Sequence, residues 1–153
     1  MGELRALVES LGHTDVSTFI QSGNVLFTTS KAITAKSFES AIDKELGIDI
    51  TVVLRTASEL KTVVNANPFK DVDLSKLHVG FMANKPAASV VKTLDADQFA
   101  PEAFVVQRRE VYLHLPNGMG RTKLPAYLDR RLKVPTTIRT WKTVTKLLEL
   151  ATA

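Results

Sequence analysis

Two apolar periods alternate along this chain in short segments, and that alternation limits it to folds that pack helices against sheets. Leu4, Leu7, Val8 and Leu11 recur at the i, i+3, i+4, i+7 spacing of one helix face, and Gly12 stands where a C-terminal cap belongs. The stretch "DVSTFIQSGNVLFTT" (15–29) then reads as two β-rich runs separated by Ser22-Gly23, a hairpin whose glycine supplies the positive φ of a tight turn. Residues 32–46 return to the helical period with Ala35, Phe38, Ala41, Ile42 and Leu46 on one face, and Gly47 closes them. "IDITVVLRT" (48–56) is expected as a strand, Ala57 to Asn65 as a short helix, and "KLHVGFMAN" (76–84) as a strand. After Pro86, "AASVVKTLDA" (87–96) reads as a helix, followed by strands "AFVVQ" (103–107) and "EVYLHL" (110–115) around Arg108-Arg109. Two helices close the chain. The first covers about 123–132, with Thr122 as its N-cap, an apolar stripe of Leu124, Tyr127, Leu128 and Leu132, and Pro125 tolerated in the first turn. The second starts near Trp141 behind a Thr140 cap, with Trp141, Val144, Leu147, Leu148 and Ala151 facing inward. This order is that of an α+β protein with largely antiparallel sheets, although a βαββαβ unit should show a strand before the first helix and here the sequence begins inside that helix.

Composition removes several function classes. Without cysteine there are no disulfides, thiolate nucleophiles or cysteine-ligated zinc, and the cytoplasm is the default address. His13, His78 and His114 lie far apart with no HxH or HxxxH spacing, so no metal is expected, and no motif calls for a cofactor. No apolar run approaches the roughly 20 residues that span a bilayer, so the expectation is a soluble protein without a membrane partner. The start lacks the features of a secretory signal, and Ala6 breaks the myristoylation pattern. Ten Lys or Arg residues oppose four acids from residue 101 onward, so the net charge of +4 conceals a basic C-terminal third.

The segments "FIQSGNVLF", "LPNGMGRTKL" and "RTWKTVTKLLEL" resemble, in order, the best-marked stretches of the DUF1697 family, bacterial proteins of unassigned function, and the resemblance runs from Glu3 to Leu150. It implies two small ferredoxin-like α/β subdomains, here 1–55, whose first strand is lacking, and 56–153, which carries two terminal helices. Family members usually begin with a strand and a loop of the form LRGINVGG ahead of the first helix. That segment is absent, so a shortened chain or late start codon is expected, leaving a sheet edge open to pairing with another copy. The family often has Asn on both sides of the tryptophan, where this chain has Thr140 and Lys142. Thr140 keeps a capping role, and an amide-specific contact is lost at Lys142.

The chemically suggestive corner is "NGMGRTK". Successive amides in a glycine-rich turn leading into a helix can form an anion-binding concavity, and Asn117, Gly118, Gly120, Arg121 and Lys123, with Arg139, make the candidate site. The same residues also suffice to turn a chain from strand to helix. The motif is neither a P-loop nor GxGxxG, because Lys123 occupies the third glycine position. Arg130, Arg131 and Lys133 have a structural reason at a helix C-terminus, as do Lys142 and Lys146 on a solvated helix face, whereas Arg121, Lys123 and Arg139 have none. Trp141 could stack a base but its spacing with Val144 and Leu148 favours the core. Tyr112 and His114 share one face of their strand, Val111, Leu113 and Leu115 the other, and alternation leaves the solvated face open. No GxSxG or HExxH occurs; Glu9, Asp15, Glu39, Asp43 and Glu45 read as surface or capping carboxylates, and Ser22 and Asn24 as a hairpin tip. The leading expectation is an anion-binding module whose partner is nucleic-acid phosphate or a phosphorylated small molecule. An enzyme on a small phosphorylated or acidic substrate, its catalytic residues unassigned, and an interaction module using an exposed sheet edge are the alternatives.

Overall fold

The computed structural model describes residues 2–19, 23–30 and 33–152. They form an α+β fold in two compact units, residues 1–54 with 149–153 and residues 55–148.

The first unit begins with helix α1 (Gly2–Ser10), which buries Leu7 and Val8. Leu11, expected on the same face, is instead 37% exposed, because α1 stops at Ser10 and Gly12 takes a φ of 91°, so the helical spacing no longer applies. Strands β1 (Thr14–Phe19) and β2 (Asn24–Thr28) pair antiparallel, with Phe19 opposite Asn24 and Gly23 at a φ of 83°. Ser22 lies outside the described residues, and the Asn24 side-chain Nδ2 donates to the Phe19 carbonyl at 3.2 Å. Helix α2 (Ala35–Leu46) starts later than the expected residue 32, where the Thr34 hydroxyl accepts from the Ser37 amide, and ends at left-handed Gly47 as the spacing implies. Val8, Val16 and Phe38 form the core, joined by Val25, Phe27, Val52 and Leu54.

The strand expected over 48–56 does not form. Its alternating face splits, with Ile48 and Ile50 46% and 43% exposed while Val52 and Leu54 pack on the core. A strand exists only through a ladder, and the Val52 amide bonds the Glu39 side chain instead, at 3.2 Å. In a βαββαβ order the neighbour of the last strand is the first, and no described residue of this unit supplies it.

The second unit carries helix α3 (Ala57–Asn65), as expected, opened by a complete capping box between Thr56 and Glu59. Its sheet has four antiparallel strands in the order β4 (Ala103–Gln107), β5 (Glu110–His114), β3 (Leu77–Met82), β6 (Thr136–Thr140). With helices α4 (Ala88–Val91) and α5 (Leu124–Leu132) as crossovers, this is the ferredoxin-like βαββαβ arrangement, followed by α6 (Trp141–Ala151). β6 goes beyond the sequence expectation, although "TTIRT" is rich in β-branched residues. α4 is much shorter than the helix expected over 87–96. β-branched Val90, Val91 and Thr93 hold it weakly, and beyond it the Asp95 amide donates to the Tyr127 hydroxyl and the Asp97 amide to the Asp95 carboxylate.

Both faces of the sheet are covered. Met82, Val111, Leu113 and Leu115 pack with Leu124, Tyr127, Leu128 and Leu132 of α5 on one side. Leu77, Val79 and Tyr112 are at most 1% exposed on the other, where the Tyr112 hydroxyl donates to the Val63 carbonyl of α3 at 2.7 Å. The alternation in β5 therefore has no solvated face, because a central strand is buried on both sides. Burial pushes the Tyr112 phenol up to about 12. Gly80 of β3 is required by packing, since a Cβ there would stand 2.7 Å from Cγ1 of Val111. In α6, Trp141 and Val144 are buried and the Thr140 hydroxyl caps the Thr143 amide, whereas Ala151, expected inward, is exposed at the last turn.

Candidate functional site

Residues 115–123 leave the end of β5 and enter α5. The Leu115 amide donates to the Lys76 carbonyl, and the Gly118 amide closes a turn onto the Leu115 carbonyl at 2.9 Å, with Gly118 at a φ of 80°. The turn thus needs Gly118, while a Cβ on Gly120 would meet nothing within 4 Å, which leaves open space above that backbone. Asn117, Gly120, Arg121 and Lys123 are exposed. Lys123 occupies the N-cap position expected of Thr122, and the Thr122 hydroxyl serves one residue on, accepting from the Leu124 amide at 3.2 Å. Among the described residues, the amides of Gly120, Arg121 and Lys123 donate to no protein acceptor, and neither basic side chain makes an ion pair.

Arg139 comes to the same end of the sheet. His114 pairs with Leu77 and Thr140 with His78, so β5 and β6 both finish beside the start of β3, and Arg139 pairs with Val79 one step inside. Its side chain is half-buried, its Nη1 donates to the Ile138 carbonyl at 3.0 Å, and burial pushes its pKa down. Two other basic residues of the C-terminal third serve elsewhere. Arg131 lies over the Tyr127 ring at 5.1 Å, and Lys133 closes α5 in the left-handed conformation, about 15 Å along the helix from Lys123. Trp141 and Tyr112 are buried, so neither offers a free stacking surface.

A second charged group sits at the other end of the sheet. Arg55 and Glu110, with side chains 7% and 10% exposed, pair at 3.0 Å, and Arg55 Nη2 also donates to the Met82 and Arg109 carbonyls. Above them Arg109 Nη2 meets Glu59 at 2.6 Å in a more open setting. Burial pushes the Arg55 guanidinium down, with Glu110 partly restoring it. The Thr56 amide bond, helped by Arg109, holds the Glu59 carboxyl below the usual glutamate range. Arg108, in the turn between β4 and β5, has a φ of 54°, a left-handed conformation that costs a non-glycine residue about 1–2 kcal/mol.

Residues 1–112 match the model of the family described as "Protein of unknown function (DUF1697)". The chain belongs to the DUF1697 family. A solved structure titled "The structure of conserved bacterial protein SP0830 from Streptococcus pneumoniae" is similar with a TM-score of 0.72 at 20% identity, over 100% of this chain and 89% of that one. That likeness shows the fold. No curated protein matches the chain.

For this DUF1697 protein the sequence singles out the loop 117–123 and not the Arg55 group. An arginine inside "ITVVLRT" and a glutamate opening "EVYLHL" were its only signals, namely charges in otherwise apolar runs, and charges of this kind are buried only when paired. Two cavities accompany the second unit, one of about 150 Å³ beside Arg109 and one of about 310 Å³ between α5 and the sheet, floored by Val111, Leu128 and Ile138. Neither is lined by residues 117–123, of which Asn117, Met119, Gly120, Arg121 and Lys123 are exposed.

Proposed function

We propose that this protein binds phosphate-bearing ligands at the loop Asn117–Lys123, with Arg139 adding charge at the same sheet end. The observation that carries the reading is the turn itself: exposed amides at Gly120, Arg121 and Lys123 without protein acceptors, beside two cations without acidic partners among the described residues. Such a turn at a helix N-terminus presents N–H groups and a positive dipole end to an anion. Its openness suits a phosphate carried on a larger molecule, with single-stranded nucleic acid as the first partner to test. Gly118 and Gly120, with open space above them, allow close backbone approach.

The test is fluorescence anisotropy of a labelled single-stranded oligonucleotide at about 50 and 200 mM salt. Three phosphate contacts, from Arg121, Lys123 and Arg139, correspond to a roughly twentyfold loss of affinity across that interval. The Arg121→Ala/Lys123→Ala double variant is expected to lose most of the binding and to flatten the salt dependence. Equal binding of every anionic ligand by the double variant and the parent protein would remove the site from consideration.

A further inference from the structure

We propose that the cavity at the Arg108–Arg109 turn is a second oxyanion site, distinct from the loop 117–123 and sized for a single phosphate group. The two lie at opposite ends of the same sheet: Glu110 pairs with Phe81 near the end of β3 and His114 with Leu77 at its start, about 13 Å away. The cavity of about 150 Å³ is lined by Arg55, Ser58, Glu59, Arg108, Arg109 and Glu110, among others. It has room for several waters or a small tetrahedral anion, and falls short of the roughly 300 Å³ at which pockets for larger organic ligands begin.

Charge selects the ligand class. Glu110 neutralises Arg55 and Glu59 neutralises Arg109, while Arg108 has no carboxylate partner among the described residues, so the lining carries one unmatched positive charge. That suits one phosphate group better than a polyanion. The first turn of α3, with Ser58 and Glu59, adds the positive end of a helix dipole. Arg109 offers Glu59 one nitrogen, in a bridge whose side chains are 39% and 44% exposed, so its remaining N–H groups are accessible to an incoming oxyanion.

The turn geometry points the same way. Residues 108 and 109 form a two-residue hairpin turn between the paired Gln107 and Glu110, where the left-handed position favours glycine, asparagine or aspartate. Arginine stands there instead, its φ positive and its side chain without a hydrogen bond or ion pair among the described residues. No hydrogen bond or ion pair among the described residues uses the arginine at this position, whereas an anion in the cavity would.

Inorganic phosphate is the probe, titrated into the full chain while backbone amide resonances are followed by NMR. Saturable shifts are expected at residues 56–59 and 108–110. Arg108→Gly should weaken phosphate at those amides at least tenfold while holding or raising Tm, because glycine adopts the turn conformation without strain. Arg108→Asn, which also tolerates that conformation, should do the same. The Arg121→Ala/Lys123→Ala variant should leave these shifts in place and alter only those at 117–123, which separates this site from the loop. Absence of shifts at 56–59 and 108–110, unchanged affinity in both Arg108 variants, or a lowered Tm in both would overturn the proposal, the last by making Arg108 a structural residue.

Discussion

Residues 48–56 and 77–82 both carry apolar residues at alternate positions, and the first is the richer in β-branched residues, yet only the second is a strand. β3 lies between β5 and β6, and all six of its residues are buried. In 48–56 the Val52 amide turns to the Glu39 side chain, and Ile48 and Ile50 face solvent. The same contrast holds between the units: a two-stranded sheet in the first, a four-stranded sheet covered on both faces in the second. A β-capable run becomes a strand when neighbours complete its ladder, and the core it covers follows from that pairing.

The comparison breaks most sharply at the buried ion pair of the larger sheet. Glu110→Ala leaves the Arg55 guanidinium buried without its carboxylate, and urea unfolding followed by Trp141 fluorescence should show a loss of about 3–5 kcal/mol. A loss below about 1 kcal/mol would mean that water reaches Arg55 and that the pair does not anchor this end of β5. Crowding at the centre of the sheet comes next. Gly80→Ala puts a methyl 2.7 Å from Val111 Cγ1 and 3.1 Å from Thr136 Cγ2, and overpacking of this kind should cost about 1–3 kcal/mol in the same assay. Wild-type stability in that variant would show that β6 gives way easily. The smallest effect belongs to the unpaired run. Ile50, 43% exposed, should accept Asp within about 0.5 kcal/mol by thermal unfolding. A large loss for Ile50→Asp would show that 48–56 docks into a ladder in solution and would dissolve the contrast with β3.

Local signals were legible where the chemistry is local. The cap residue Thr140, the stop at Gly47 and the turns at Gly23 and Gly118 are readable because each needs one side chain or one φ near its own helix or strand, whereas the caps at Thr34 and Thr56 come from the structure. The candidate loop was readable for the same reason, since a glycine-rich turn between strand and helix announces itself. β6 was not, because "TTIRT" has no apolar alternation and becomes a strand through Val79, Gly80 and Phe81 beside it. The Arg55–Glu110 pair joins residues 55 positions apart, and no local period encodes such a meeting.

The amino-acid sequence by itself determined the presence of helices α1, α2, α3, α5 and α6, the Gly47 stop, the Thr140 cap, the tight turns, the basic C-terminal third and the apolar faces that demand a core. These rest on interactions within a few residues, where spacing and side-chain type leave few alternatives. Only the tertiary structure decided that 136–140 pairs while 48–56 does not, that β5 is buried on both faces, and that three arginines and two glutamates line one cavity at one end of the sheet. The physical reason is that backbone ladders and buried charges are satisfied by partners distant in sequence, so their free energy exists only after the chain has closed on itself.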